Sequence, residues 1–274
     1  MEVMEIQNPW LDNAHPNYYR WKRARDISIE RGRFVKSILE QVTECNNLTI
    51  LDLGSGEGGT SKVFSENNRV ISFDINKERL RRQSKPTNRV MKLCGSALAL
   101  PFYKNSFDLI ILQDVIEHLS ERTNFSEILC HLLKDDGIIY LSTPNKFSIF
   151  NFLSDPHWGF PVISVLRREK IKKYFLRHFR KSEVDRKDIA ELISLKELQR
   201  LFKEKFNIQL FTKYSAQELY NRNKGIVWSD FHLRLIKLAS FLRLNKILIK
   251  ITNDKPGLLN RFFTPTFYMI LRKK

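Results

Sequence analysis

The run Leu51-Asp52-Leu53-Gly54-Ser55-Gly56-Glu57-Gly58-Gly59-Thr60 sets glycines where an apolar stretch gives way to a helical pattern. Glycine at such a junction lets the backbone turn tightly and approach a ligand with no Cβ in the way, and the helix that follows offers free N–H donors. Asp74 stands 20 positions after Gly54, at the end of Val70-Ile71-Ser72-Phe73. A carboxylate there can accept hydrogen bonds from both hydroxyls of a ribose, which suits NAD and S-adenosylmethionine equally. Gly54, Gly56 and Gly59 also satisfy G-x-G-x-x-G, a pattern common to dinucleotide sites. These residues therefore leave the two cofactors open, and turn glycines beside a surface carboxylate are the plainer alternative.

Three further segments separate the cofactors: Gly95-Ser96-Ala97-Leu98-Ala99-Leu100-Pro101-Phe102, then Asn105-Ser106-Phe107-Asp108 running on to Gln113-Asp114-Val115-Ile116-Glu117-His118-Leu119, then Leu132-Leu133-Lys134-Asp135-Asp136-Gly137. With them, residues 48–145 resemble the class I S-adenosylmethionine-dependent methyltransferases of the ubiquinone-biosynthesis-like (type 11) group. The resemblance implies that Gly54, Ser55 and Gly56 run along the methionine and ribose of the cofactor. It implies that Asp74 holds the ribose hydroxyls with Ile75 beside the adenine, that Ser96 and Ala97 edge the adenine, and that Gln113 lies near the methionyl group. That group commonly has Asp where this chain has Ser96, so a hydroxyl or the backbone must take over that contact.

Glu117 and His118 admit two readings. Asp114 and Glu117 have the spacing of a capping box at a helix start. His118 is the candidate catalytic base, because an imidazole near its ordinary pKa accepts a hydroxyl proton at neutral pH; a structural histidine is the alternative. Methyl transfer asks little of a protein beyond alignment, and a base is needed only where the acceptor must lose a proton.

The elements that must position these residues follow from periodicity. Residues 17–43 read as one helix, with Ile27, Phe34, Val35, Ile38, Leu39 and Val42 near helical spacing. Short β-rich runs then alternate with helical patterns: strands at Leu48–Leu53, Val70–Phe73, Val90–Leu93, Asp108–Leu112 and Gly137–Ser142, with helices near Thr60–Ser65, Lys77–Gln83 and Ser120–Leu133. Ser194–Phe206 reads as a helix with Ser194 as N-cap and Glu197 completing a capping box. Asn207–Thr212 and Thr266–Leu271 read as the last two strands. The expected fold is α/β: a Rossmann-like, seven-stranded, mostly parallel sheet with helices on both faces and an antiparallel last strand. A single domain, 1–274, is expected, with a cap helix at 17–43, a cofactor-binding core at 48–145, and substrate-side insertions at 146–192 and 215–262.

Charge divides the chain sharply. Residues 1–145 hold 19 Lys+Arg and 19 Asp+Glu, so the net +17 lies wholly in residues 146–274, with 28 basic and 11 acidic side chains. Residues 167–181 carry eight Lys+Arg against one Glu, with Ile171, Tyr174, Phe175, His178 and Phe179 on one helical face. Phe231–Ile251 sets Leu235, Leu238, Leu242 and Ile249 among Arg234, Lys237, Arg243, Lys246 and Lys250. Each is either an ordinary helix with a solvated basic face or a surface for anionic membrane, or for a phosphate-bearing, lipid-linked acceptor.

Asp155-Pro156-His157-Trp158-Gly159-Phe160-Pro161 resembles a stretch of methyltransferases of surface-glycan and lipid-precursor pathways. There His157 and Trp158 would touch the acceptor, unless the segment is a loop around a packed Trp. Nucleic acid would also explain the charge. Against it, Gln113-Asp114-Val115-Ile116 is not the Asn/Asp-Pro-Pro-aromatic run of amino-methylating nucleic-acid enzymes.

Cys45, Cys94 and Cys130 show no paired spacing, so neither disulfides nor a metal site is expected. The opening Met1-Glu2-Val3-Met4-Glu5 lacks a basic, apolar leader, and Phe147–Leu166 is too interrupted to span a bilayer. A cytoplasmic protein is expected, peripheral to the membrane if the basic half binds it. The reaction expected is O-methylation of a small-molecule, glycan or lipid-linked acceptor. An NAD-dependent oxidoreductase, a nucleic-acid methyltransferase and a non-catalytic S-adenosylmethionine-binding protein are the alternatives.

Overall fold

The computed structural model describes residues 13–15, 18–83, 89–186, 188–227 and 229–274. The opening pentapeptide lies outside them. In chain order the elements are α1 (Tyr18–Asp26), α2 (Ser28–Leu39), β1 (Thr49–Leu53), α3 (Gly59–Phe64), β2 (Arg69–Asp74), α4 (Lys77–Arg82), β3 (Val90–Cys94), β4 (Phe107–Gln113), α5 (Phe125–Leu132) and β5 (Leu133–Pro144). The second half adds α6 (Ile149–Leu153), α7 (Arg168–Lys170), α8 (Arg177–Phe179), α9 (Leu195–Phe202), β6 (Phe206–Leu210), α10 (Thr212–Ile226), α11 (Asp230–Phe241), α12 (Asn245–Ile251), α13 (Leu258–Phe262) and β7 (Thr266–Lys273).

Seven strands form one sheet in the order β3-β2-β1-β4-β5-β7-β6. β7 runs antiparallel to both β5 and β6, and the pairings from β3 to β5 are parallel. Side chains alternate across the pleat, so adjacent residues of one strand feed opposite cores. Leu51, Leu53, Ile110, Leu112 and Leu141 meet Phe125, Leu129, Leu198 and Phe202 of α5 and α9. Ile50, Leu109, Ile111 and Tyr140 meet Phe34, Val35, Ile38, Val63 and Phe64 of α2 and α3. Central strands buried on both faces are what a parallel sheet demands of its sequence.

The expected helix at 17–43 is two helices broken at Ile27, whose φ of −96° and ψ of 6° leave the helical region. The break seats the start of α2 directly on the glycine turn: a Cβ on Gly59 would lie 2.3 Å from the Ser28 carbonyl carbon, and one on Gly32 would lie 2.8 Å from Thr60 Cα. The helix expected from Ser120 begins only at Phe125, because Arg122 turns inward and donates to the carbonyls of Ile116, Glu117 and Glu191 at 2.9–3.1 Å. The capping box at Ser194 and Glu197 is present.

The basic stretch 167–181 is helical through α7, a π-helical turn Ile171–Leu176 and α8. Ile171, Phe175 and Leu176 pack with Trp158 and Ile163 in a small core of their own. Tyr174 and Phe179 point to solvent, so the expected single apolar face is divided. Phe231–Ile251 is likewise two helices, α11 and α12, separated where Arg243 takes a φ of 56°. Both long insertions leave the sheet at one edge, after the carboxyl ends of β5 and β6, and β7 starts from that same edge. Among the described residues no helix is long and apolar enough to cross a membrane.

Candidate functional site

At the carboxyl end of β1 the N–H groups of Gly54 and Ser55 both donate to the Phe73 carbonyl, at 2.7 and 3.0 Å, which ties the turn to β2. Gly54, Gly56 and Gly58 have φ of 75°, 51° and 75°, in the left-handed region that side chains disfavour. The first two do so for different reasons. A Cβ on Gly54 would strike Val115 Cγ2 at 2.4 Å, whereas one on Gly56 would meet only the Gly54 carbonyl oxygen, at 3.9 Å. Gly54 is closed by packing, and Gly56 faces open space.

Asp74 grips this turn. Its Oδ2 accepts from the Gly56 N–H at 2.8 Å and its Oδ1 from the Asn76 N–H at 2.7 Å, which leaves further lone pairs on both oxygens. Next to it Ile75 is 76% exposed, an apolar side chain held out at the end of β2. Beneath the turn Gln83 donates to Ser55 Oγ at 3.1 Å and to the Gly56 carbonyl at 2.9 Å, and accepts from Ser72 at 2.9 Å. Asp52 of β1 is buried, and desolvation pushes its carboxyl up to about 6 although the Ser61 hydroxyl donates to it at 2.5 Å.

Ser96 and Ala97 follow β3. The Ser96 hydroxyl accepts from the N–H of Leu98 at 3.2 Å and caps its own turn, while Ala97 packs against the core. On the far side Gln113 Oε1 accepts from Thr60 Oγ1 at 2.8 Å, joining β4 to the start of α3. Asp114 follows with a φ of 56°, held by Arg31 of α2 at 2.5 Å and by the Ser142 hydroxyl at 3.1 Å. Burial of the Arg31 guanidinium opposes its charge, and Asp114 more than offsets this, so its pKa is raised. A small cavity of about 60 Å³ opens here, lined among others by Arg31, Gln113, Asp114, Ser229, His232 and Tyr268. Burial, with the Asp114 carboxylate adding to it, holds the Tyr268 phenol above its ordinary pKa.

The capping-box reading of Asp114 and Glu117 does not hold. Ile116–His118 is a single 3-10 turn with no side-chain cap, because both carboxylates are drawn elsewhere. Asp114 goes to Arg31 and Ser142, and Glu117, fully buried, accepts from Thr143 Oγ1 on β5 at 2.9 Å. Desolvation raises the Glu117 pKa, with the Asp114 charge adding to it. His118 Nδ1 lies 2.5 Å from Asp188 Oδ1. Burial opposes the charged imidazole, yet Asp188 outweighs it and the His118 pKa is raised. Trp158, considered as an acceptor contact, is instead buried edge-on against Phe175. Its neighbour His157 reaches toward Glu117.

The structure thus gathers Gly54, Ser55, Gly56, Asp74 and Ile75 on one side of the sheet edge and Gln113 across from them, with His118 on the turn beyond. Sequence reasoning missed Gln83 and Arg31. Gln83 and Arg31 stand in helical patterns that look solvated, and only the fold carries them to the turn.

The methyltransferase domain family matches residues 51–141, the stretch holding β1 through most of β5. A probable S-adenosylmethionine-dependent methyltransferase of Mycolicibacterium smegmatis is 29% identical over 136 residues, 49% of this chain and 49% of that protein. A ubiquinone/menaquinone biosynthesis C-methyltransferase of Wigglesworthia glossinidia brevipalpis is 28% identical over 160 residues, 54% of this chain and 64% of its own length. The chain therefore spans 49% and 64% of the length of these two relatives. Among solved structures, an S-adenosylmethionine dependent methyltransferase from Mesorhizobium loti aligns with a TM-score of 0.56 at 15% identity, covering 87% of this chain and 96% of that one.

Proposed function

We propose that the chain is a class I S-adenosylmethionine-dependent methyltransferase, the kind of protein it is similar to over residues 51–141 and in its relatives, and that it methylates an oxygen of a lipid-linked acceptor at an anionic membrane surface. Gly54, Ser55 and Gly56 would run beside the methionine and ribose, Asp74 would take the ribose hydroxyls, and Ile75 would lie under the adenine. Ser96 and Ala97 would edge the ring, through the Ser96 hydroxyl or the backbone. Gln113 would close the methionyl end. The residues present fit that ligand, because the one glycine of the turn whose missing Cβ faces open space, Gly56, is also the one bonded to Asp74. When bound, the sulfonium supplies an activated methyl group. The protein's share is to hold the nucleophile in line and exclude water, and the cavity beginning at Gln113 and Asp114 is where the reacting end of an acceptor would sit.

The observation that carries the acceptor half is the outward face of α11 and α12. Leu238, Phe241, Leu242, Ile247 and Ile251 are exposed, Phe241 by 83%, and α12 has no buried residue. Helices that merely cover a core turn their apolar side inward. α11 keeps Leu233 inward, yet these five side chains turn out between Arg234, Lys237, Arg243, Lys246 and Lys250, the pattern of a helix lying in a bilayer interface.

Calorimetry tests the donor half: binding of S-adenosylhomocysteine weakened about 10- to 100-fold by Asp74→Ala supports it, since a charged hydrogen bond is worth roughly 1.5–3 kcal/mol. No uptake of donor or demethylated product by the wild type would overturn it. For the acceptor half, labelled donor is incubated with the chain and anionic vesicles carrying a total lipid extract. Label is expected in the solvent-extractable lipid; label found only in water-soluble products overturns the lipid-linked reading.

A further inference from the structure

Glu117, His118 and His157 each offer one ligand atom, and these atoms lie within 4.8 Å of one another. They come from two places: the 3-10 turn after β4, and the loop after α6 in the first insertion. Each is held from behind. Glu117 Oε2 accepts from Thr143 Oγ1, while Oε1 is buried, has no hydrogen-bond partner and faces His157 Nε2 at 3.9 Å, beyond hydrogen-bond range. His118 is fixed through Nδ1 by Asp188 Oδ1, and an imidazole so held coordinates through its other nitrogen. The loop bearing His157 is pinned where Asp155 Oδ1 accepts from the N–H groups of His157 and Trp158, at 2.8 and 2.9 Å. Trp158 in turn is locked into its own small core.

We propose that Glu117, His118 and His157 form a binding site for a divalent transition cation such as zinc or cobalt(II). Two imidazoles and one carboxylate, backed by a carboxylate–histidine pair, are the ligands such ions take, and three protein ligands leave at least one position open. With bonds of about 2.0–2.2 Å the ion would draw the ligand atoms closer together. The buried Glu117 oxygen would then gain the partner it lacks. Glu117 itself stands three residues beyond Asp114, after the carboxyl end of β4, and is tied to Thr143 near that of β5. If the methyl-transfer reading holds, an acceptor hydroxyl reaching the open position would lose its proton more readily.

The test needs no turnover. The chelator-treated full chain is titrated with cobalt(II), following the visible absorption that imidazole-bound cobalt shows in a four- or five-coordinate site. One saturable equivalent is expected, lost in Glu117→Gln and in His157→Asn, with affinity weakened about 10- to 100-fold by Asp188→Asn. Near-ultraviolet circular dichroism shows whether each variant is folded, and His157→Asn, in a loop, is the variant to rely on if Glu117→Gln is not. No saturable band with the wild type, or a band that survives His157→Asn, overturns the site. Binding of S-adenosylhomocysteine, measured separately, tells that failure apart from a failure of the methyltransferase reading.

Discussion

At the scale of single residues, the two glycines of the turn separate folding from binding. Gly54→Ala sets a methyl group into Val115 and strains a left-handed backbone, so a loss of about 2–4 kcal/mol is expected in denaturant unfolding. Gly56→Ala meets only open space, so its loss should stay near 1–2 kcal/mol while S-adenosylhomocysteine binding falls by at least about tenfold. Equal binding losses from two folded variants would mean that nothing lies against Gly56. Asp52 gives a pH signature. Its folded pKa of about 6 exceeds the unfolded value near 3.9, so the stability from its neutral form is full below about pH 4 and is lost as pH climbs through 6. Asp52→Asn cannot ionise. The wild type should therefore lose roughly 2–3 kcal/mol relative to this variant between pH 4 and 7, read by thermal melts in parallel. The positions of the glycines and Asp74 could be read in the sequence because a local turn and the next strand end fix them. Arg31 and Gln83 could not, since their partners are set by which helix lands on which strand.

At the scale of elements, periodicity finds amphipathic helices but does not say which way they face. Residues 167–181 and 231–251 look alike as sequence, basic with spaced apolar positions. The first buries Ile171, Phe175 and Leu176 against Trp158, and the second buries Leu233 but leaves Leu238, Phe241, Leu242, Ile247 and Ile251 exposed. Phe241→Glu should therefore leave the melting temperature nearly unchanged, within about 0.5 kcal/mol, yet reduce sedimentation with anionic vesicles several-fold. A melt shifted by several degrees with unchanged sedimentation would place Phe241 in packing instead. The strands were legible to within a few residues, because a strand buried on both faces has few polar positions to confuse it. Helix ends were less so. The late start of α5 comes from Arg122 reaching three backbone carbonyls, which no local pattern encodes.

At the scale of the whole molecule, a neutral cofactor half is joined to a half that carries the entire charge of +17. Attraction to an anionic surface decays over a Debye length, about 10 Å at 0.1 M salt and 3 Å at 1 M. Vesicle binding should fall steeply across that range while donor binding, here proposed to rest on hydrogen bonds in the turn, should change little. Loss of both together would point to general unfolding. The strand order has a further consequence, one that belongs to synthesis on the ribosome. Of these seven strands β7 is made last, yet it is the partner that both β5 and β6 wait for. At about 5–20 residues per second, some 3 to 11 seconds separate the emergence of β6 from that of β7. Through that interval the growing sheet has an unzipped edge at β5, and the nascent chain must be shielded there or risk pairing with a neighbour.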